Sequence, residues 1–411
     1  MTRRHLPFGA PDRQTAFPVD IVVVGGCGHV GLPLAIAFAE RGLTVHIYDV
    51  NEAAVARVAA GELPFHEDNA EESLRRVLAD GRLLVSADAS SVAGAENLVV
   101  VIGTPVDEHL NPDPLAVRTA ILDCAPYLTD GQLLVLRSTV YPGVTASIEG
   151  LVAGLGHEID VVFCPERIAQ GQAMRELVEL PQIVGARTPR AAERAEALFR
   201  TLTASVVHLT PEEAELAKLF TNAWRYIKFA TANQFYVMAN DFDLDFERIR
   251  EAIRYEYPRA SDLPGAGFAA GPCLLKDTMQ LAAFSNNGFV LGHSAMLINE
   301  GLPLYVVSRM ERRFDLTSAT VGILGMAFKA EIDDVRDSLA YKLRRILRFR
   351  ARDVICTDPR VTTDASLLPL DEVVDRADVL VIGAPHEAYR ELRTEKPVVD
   401  IWGLRGAGTA V

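Results

Sequence analysis

Ile21-Val22-Val23-Val24-Gly25-Gly26-Cys27-Gly28-His29-Val30-Gly31 is the stretch on which the fold turns. Four consecutive β-branched residues form a strand covered on both faces, because a strand with one wet face would alternate apolar and polar. Gly26, Gly28 and Gly31 then supply the G-x-G-x-x-G spacing, and the residues from Gly31 onward begin an apolar helix. In such a unit Gly26 permits a tight turn, Gly28 lets a pyrophosphate approach the backbone, and Gly31 lets helix and strand pack closely at the positive helix end. Asp49 ends the next strand, where a carboxylate accepts hydrogen bonds from ribose hydroxyls and repels a 2′-phosphate. The reading is an NAD site built from Gly26, Gly28, His29, Val30, Gly31 and Asp49. The plain alternative is a glycine turn that only packs.

Working outward, short β-branched runs alternate with helical stretches from Val19 to about His208, with strands expected at Asp20–Val24, Thr44–Tyr48, Leu98–Ile102, Leu133–Leu136, Val161–Cys164 and Gln182–Val184. This is one doubly wound, Rossmann-like domain with a parallel sheet, over 19–208. At Thr210 the pattern changes: Thr210, Pro211 and Glu213 fit the N-cap, N1 and N3 positions of a capping box. A long helix follows to about Asp241, with further helix over Phe246–Tyr255 and Lys276–Met310, giving a helical middle domain over 209–314. Strands at Val321–Leu324, Asp353–Thr357, Val379–Ile382 and Val398–Ile401 mark a second, smaller α/β domain of nucleotide-binding type over 315–411. Residues 1–18 read as a flexible N-terminal tail, since they carry arginines and prolines but no apolar h-region.

Composition bounds the function. With 411 residues, 49% of them hydrophobic, the chain is long enough for several cores. A formal net charge of −14 argues against a nucleic-acid partner, which demands a basic surface. No apolar run approaches the roughly 20 residues of a membrane span. Five cysteines is an odd count, none paired at metal-ligand spacing, which points to a reducing cytoplasm and to no metal.

From the glycine loop onward the chain resembles the UDP-glucose/GDP-mannose dehydrogenase family, in order, across Val19 to Trp402. The matching stretches are G-C-G-H-V-G-L-P from Gly26, T-P-V-D-E from Thr104, N-P-D from Asn111, S-T-V-Y-P-G from Ser138 and P-E-R from Pro165. They continue with A-E-L-A-K-L-F-T-N from Ala214, G-P-C-L-L-K-D from Gly271, G-M-A-F-K from Gly325 and D-D-V-R-D-S from Asp333. Asn233-Gln234 departs from a usual Asn-Glu, and Gly103 from a usual proline.

The resemblance implies oxidation of a sugar hydroxymethyl group to a carboxylate, which removes two hydrides and so needs a group to hold the aldehyde between steps. A thiolate does this through a thiohemiacetal and a thioester that water opens. Cys273 is placed for it: with Pro272 as N1, a helix starting there puts the sulfur at a positive helix end, which lowers a thiol pKa. The other four cysteines sit in glycine-loop or apolar contexts and read as small hydrophobes. Asp277 lies one turn beyond Cys273 and is the candidate to orient water; Lys218 and Asn222 share a helix face and are candidates to stabilise oxyanions.

By resemblance, Thr139 positions water and Glu166 is the general base. Thr104, Pro105, Thr139, Lys276 and Arg336 join the cofactor set. Glu166, Arg167, Lys218, Asn222, Gly267, Phe268, Gly271, Phe328 and Lys329 form the substrate set, with Arg259 contributed by the second subunit of a homodimer joined through the long helix. Lys276-Asp277 directly after the nucleophile favours UDP-glucose. Pro258-Arg259 and P-G-A-G-F-A-A-G-P-C resemble the N-acetylhexosamine branch, and a thymidine diphosphate sugar is a further alternative. Outside this reaction, a two-electron hydroxyacid dehydrogenase and a catalytically silent nucleotide-binding protein are the competing readings.

Overall fold

In the computed structural model, which describes residues 17–104, 115–406, 408, 409 and 411, the chain opens with eight strands and seven α-helices. In order these are β1 (Val19–Val24), α1 (Gly31–Glu40), β2 (Val45–Tyr48), α2 (Glu52–Ala59), α3 (Ala70–Ala79), β3 (Leu83–Ser86), β4 (Ala95–Val100), α4 (Ala116–Cys124), β5 (Leu133–Leu136), α5 (Val144–Gly154), β6 (Asp160–Phe163), α6 (Ala173–Glu179), β7 (Gln182–Ala186), α7 (Pro189–Phe199) and β8 (Val206–Leu209). They form one sheet in the order β3-β2-β1-β4-β5-β6-β7-β8. The reversal between β1 and β4 is the switch point, where open α/β sheets bind ligands at the carboxyl ends of their strands.

The strand period explains the layering. Ile21 and Val23 enter one apolar cluster with α1, while Val22 and Val24 enter another on the opposite face with α4 and α5. Within α1, Leu32, Leu34, Ile36 and Phe38 are all fully buried, each side chain worth about 1.5–3 kcal/mol of transfer free energy. Two strands lie beyond the six expected. β3 and β8 are the edge strands, where the apolar runs are only residues 83–85 and 206–207 and where Leu84 and Val207 are nearly half exposed. The sheet is also not wholly parallel: β7 runs antiparallel to β6, pairing Val162 with Ala186 and Phe163 with Gly185. A two-residue period is the same read in either direction, which is why direction was not legible.

The helical middle comprises α8 (Pro211–Asp241), α9 (Phe246–Arg254), α10 (Leu274–Phe284) and α11 (Val290–Arg313). The capping box at Thr210 is present as expected, Thr210 N donating to Glu213 Oε2 at 2.8 Å and Glu213 N to Thr210 Oγ1 at 3.4 Å. Gly185 lets the start of this helix press on β7, since a Cβ there would stand 2.7 Å from that of Ala214. The single helix expected over Lys276–Met310 is broken. Asn286 and Asn287 both adopt left-handed backbone, φ 53° and 59°, and turn the chain between α10 and α11.

A second sheet, in the order β10-β9-β11-β12, is parallel throughout and is built from β9 (Thr320–Leu324), α12 (Leu339–Leu347), β10 (Asp353–Thr357), α13 (Leu370–Arg376), β11 (Val379–Ile382) and β12 (Val398–Val399). It shares a core with the helical middle, because Tyr236, Leu302, Val306 and Met310 pack in one cluster with Val321, Ile323, Leu343 and Val381. The two sheets also share a local device. Asp49 after β2 accepts from Cys27 N at 2.9 Å, and Asp358 after β10 accepts from Met326 N at 2.6 Å and Ala327 N at 2.9 Å. Each carboxylate pins the turn leaving the first strand of its sheet. Among the described residues, no helix is long and apolar enough to cross a membrane.

Candidate active site

The glycine loop divides its labour differently from expectation. The left-handed residue of the turn is Gly25, φ 75°, rather than Gly26. Gly26 is a packing glycine, since a Cβ there would stand 2.8 Å from Ile47 Cγ2, and Gly31 is another, with Gly26 Cα at 2.7 Å. Gly28 alone faces open space, the nearest atom to a Cβ being Gly25 O at 4.0 Å. A pyrophosphate can approach at that point, beside the first amides of α1, where Val30 is the N-cap and no side chain caps the helix. Asp49 is half-buried, accepts from Cys27 N and Asn51 N, and keeps lone pairs for ribose hydroxyls. The loop therefore fits a dinucleotide.

Helices α8 and α10 supply the opposite wall. Cys273 is the N-cap of α10, so the helix starts at Leu274, later than the start at Pro272 that the sequence suggested. As a residue Cys273 is exposed, with its sulfur recessed, and the other four cysteines are buried. The expected lowering of the thiol pKa is not what the surroundings produce. Recess within the site and the Asp277 carboxylate push Cys273 above the ordinary thiol range, against the opposing charges of Lys218, Lys276 and Arg336. Three cations and one anion thus converge on the sulfur.

Asp277 is fully buried. Its Oδ2 accepts from Asn222 Nδ2 at 2.5 Å, and Lys276 Nζ lies 2.8 Å from Oδ1. Oδ1 is buried and has the Lys276 ammonium as its counter-charge, without hydrogen-bond geometry to it. Lys276 Nζ also donates to Thr104 Oγ1 at 3.4 Å, linking α10 to the end of β4. Pro105, expected beside it, lies outside the described residues.

The loop into Cys273 is clamped from two sides. Asn233 on α8 brackets Gly267, accepting from its N–H at 2.9 Å and donating to its carbonyl at 3.0 Å, and donates also to Asn299 Oδ1 at 2.9 Å. On the other side a Cβ on Gly267 would fall 2.1 Å from the Trp402 ring, and one on Gly271 would fall 2.6 Å from Phe328. Phe268 meets Trp402 edge to face at 6.0 Å. Gly267, Phe268 and Gly271 therefore pack the loop between the helical middle and the second sheet, against Trp402 and Phe328.

Across the cleft, Lys329 Nζ donates to Gln170 O at 3.1 Å, and burial pulls the pKa of Lys329 below the usual lysine range. Arg225 on α8 brings a further positive charge to bear on it. Gln170 reaches His29, its amide nitrogen 3.0 Å from Nδ1. Burial, then the charge of Arg336, lowers the pKa of His29, whose ring lies tilted against Phe65 with centroids 4.0 Å apart. Arg336 is held by Asp334, with Nη2 donating at 2.6 Å.

Thr139 and Glu166 lie three residues beyond β5 and β6, at the carboxyl edge, as their positions implied. Thr139 is half-buried. Glu166 is buried and in contact with Arg137, and its other oxygen accepts from Arg167 N at 2.7 Å and Ile168 N at 2.9 Å. The Arg167 side chain turns to the Pro181 carbonyl instead. Arg259 is exposed and packed on the Tyr257 ring at 5.3 Å. Arg137, Gln170, Arg225 and Asn299 were not singled out from the sequence. Of these only Arg225 had a signal, seven residues from Lys218 and so on the same helix face.

Comparison with known proteins gives three matches in chain order. They are to the UDP-glucose/GDP-mannose dehydrogenase family's NAD binding domain over 19–203, its central domain over 212–300 and its UDP binding domain over 322–404. A UDP-N-acetyl-D-mannosamine dehydrogenase of Pyrococcus horikoshii is 30% identical over 390 residues, 91% of each chain. An NDP-N-acetyl-D-galactosaminuronic acid dehydrogenase of Ralstonia solanacearum is 28% identical over 96% of this chain and 99% of its own. Among solved structures, a UDP-glucose dehydrogenase from Pyrobaculum islandicum superposes with a TM-score of 0.87 at 29% identity, covering 98% of both chains.

Proposed function

Since the chain belongs to the UDP-glucose/GDP-mannose dehydrogenase family and carries that family's NAD binding domain, we propose that it oxidises C6 of a UDP-N-acetylhexosamine to the uronate through a covalent intermediate on Cys273. The observation that carries this is the exposed Cys273 set among Lys218, Lys276 and Arg336, one turn before a buried Asp277 carboxylate held by Asn222 and Lys276. Relatives named for N-acetylated sugars, and the segment leading into Cys273, support the N-acetylhexosamine over the UDP-glucose that Lys276-Asp277 alone favoured. UDP-glucose is the second reading, supported by the likeness to a UDP-glucose dehydrogenase structure.

The residues that would hold NAD are Gly28, the first amides of α1, Asp49 and Thr104, and the cofactor would supply the hydride acceptor, one NAD for each of the two hydrides removed. The protein does the rest. As the first hydride leaves C6 the hydroxyl gives up its proton to water, and Lys218 and Asn222 stabilise the negative charge on its oxygen. The Cys273 thiolate then adds to the aldehyde carbon, and loss of the second hydride leaves a thioester. Thr139, with Asp277 beside it, positions water at the thioester carbon, Glu166 accepts its proton, and C–S cleavage returns the sulfur and releases the acid. Lys329 and Phe328, with the backbone of the loop from Gly267 to Gly271, hold the nucleotide sugar.

The exposed faces of α8 and α11 support a homodimer. Phe220, Trp224 and Met238 on the first, with Leu297 and Leu304 on the second, are each more than half exposed, an apolar stripe of the kind that protein interfaces cover. In that dimer Arg259 completes the partner's site. Light scattering that finds only monomer at working concentration removes this part.

The experiment for the reaction is a panel of UDP-N-acetylhexosamines, UDP-glucose and dTDP-glucose, scored as NADH formed per sugar consumed. Two NADH per sugar is expected, highest for an N-acetylated sugar. One NADH per molecule would instead mark a two-electron alcohol dehydrogenase, and none would mark a silent binding protein.

A further inference from the structure

Arg137 is 2% exposed, at the end of β5 and two residues before Thr139. A buried guanidinium is costly to desolvate, and this one is spent on a single neighbourhood. Its Nη2 contacts Glu166 Oε2, and its Nη1 donates to Cys164 O at 3.2 Å and to Gln182 Oε1 at 3.0 Å. The Phe199 ring lies 4.9 Å beneath Cζ and fixes the plane of the fork. Gln182 ties the same turn again, donating to Pro165 O at 3.4 Å. The backbone joins in, as Glu166 N points to Arg137 O at 3.5 Å.

We infer that Arg137 is a positioning residue that holds the Glu166 carboxylate in one orientation and keeps it ionised for the hydrolytic step. The inference rests on the reaction proposed above, in which Glu166 takes the proton from water. A base works only while unprotonated, so whatever holds the carboxylate charged sets how far into acid the reaction runs. Burial alone would push the Glu166 pKa up; Arg137 and the N–H groups of Arg167 and Ile168 outweigh it and bring it below the ordinary range. The charged groups that bear on Glu166 are Arg137 from β5 and Arg167 from its own turn. Gln182 approaches from β7 and is neutral, and Cys164, beside Arg137, is pushed by burial to about 12 and stays an uncharged thiol.

The test is the pH profile of kcat for wild type, Arg137→Lys and Arg137→Met, with the best nucleotide sugar of the panel. Arg137→Met is expected to move the acid limb of kcat to higher pH and to lower kcat at neutral pH about tenfold or more, with the KM for NAD unchanged. Arg137→Lys keeps the charge but loses the two-sided fork, so it should leave the acid limb nearly in place and lower kcat only several-fold. If Arg137→Met does not fold, the lysine variant decides the question. A lysine variant with wild-type kcat and KM shows that the fork positions nothing, and a folded methionine variant with an unshifted acid limb shows that Arg137 does not set the protonation of Glu166. Failure of the reaction itself is read separately, from the wild-type NADH yield.

Discussion

Asn222 on α8 donates its amide to the wholly buried carboxylate of Asp277 on α10 at 2.5 Å. Fifty-five residues apart in sequence, the two side chains lock the helix that begins at Cys273 onto the long helix that carries Lys218. Replacing Asn222 with Ala leaves a buried carboxylate oxygen unpartnered, which costs about 1–3 kcal/mol. The expected result is a lower denaturation midpoint and a fall in kcat larger than any change in the KM for NAD. An unchanged midpoint with full turnover would show that the pair is not coupled to the site.

Cys273→Ser replaces the thiol with a hydroxyl that is too weak an acid to act as the nucleophile at neutral pH. Steady-state turnover should be lost while NAD still binds, because the cofactor loop is built from other residues. Normal turnover in this variant would overturn the covalent route.

The alkylation rate of Cys273 by iodoacetamide reads its thiolate directly. Since burial and Asp277 raise the pKa and three cations oppose them, the thiolate fraction is small near neutrality and climbs with pH through the raised value. Asp277→Asn removes a raising charge, so the climb should move to lower pH. Lys276→Met removes a lowering charge and should move it to higher pH. Shifts in the opposite directions would refute this account of the site's electrostatics.

Gly28 and Gly31 separate ligand binding from packing. A Cβ on Gly31 would stand 2.7 Å from Gly26 Cα, an overpacking that costs about 1–3 kcal/mol, so Gly31→Ala should lower the melting temperature. Gly28→Ala meets no protein atom closer than 4.0 Å, so it should melt like wild type and bind NAD about tenfold or more weakly. Equal NAD affinity for Gly28→Ala and wild type would place the pyrophosphate elsewhere.

Much of the candidate site's layout was legible because its signals are local. The strand–glycine–helix unit from Ile21, the capping box at Thr210 and the one-turn spacing of Cys273 and Asp277 each depend on residues a few positions apart, and helix and strand periods convert such spacing into a shared face. Other local signals went unread. Asn286-Asn287-Gly288 is a turn sequence, yet the apolar period on either side suggested one helix where there are α10 and α11.

By itself, then, the sequence determined two α/β units around a long helix, a dinucleotide loop and a candidate nucleophile. Tertiary structure alone decided the direction of β7, the edge strands, the pairing of Arg137 with Glu166 and the upward push on the Cys273 thiol. The physical reason is range. Backbone conformation answers to neighbours within a turn or two, whereas desolvation and charge at a buried atom sum over groups that only the folded chain brings within a few ångströms.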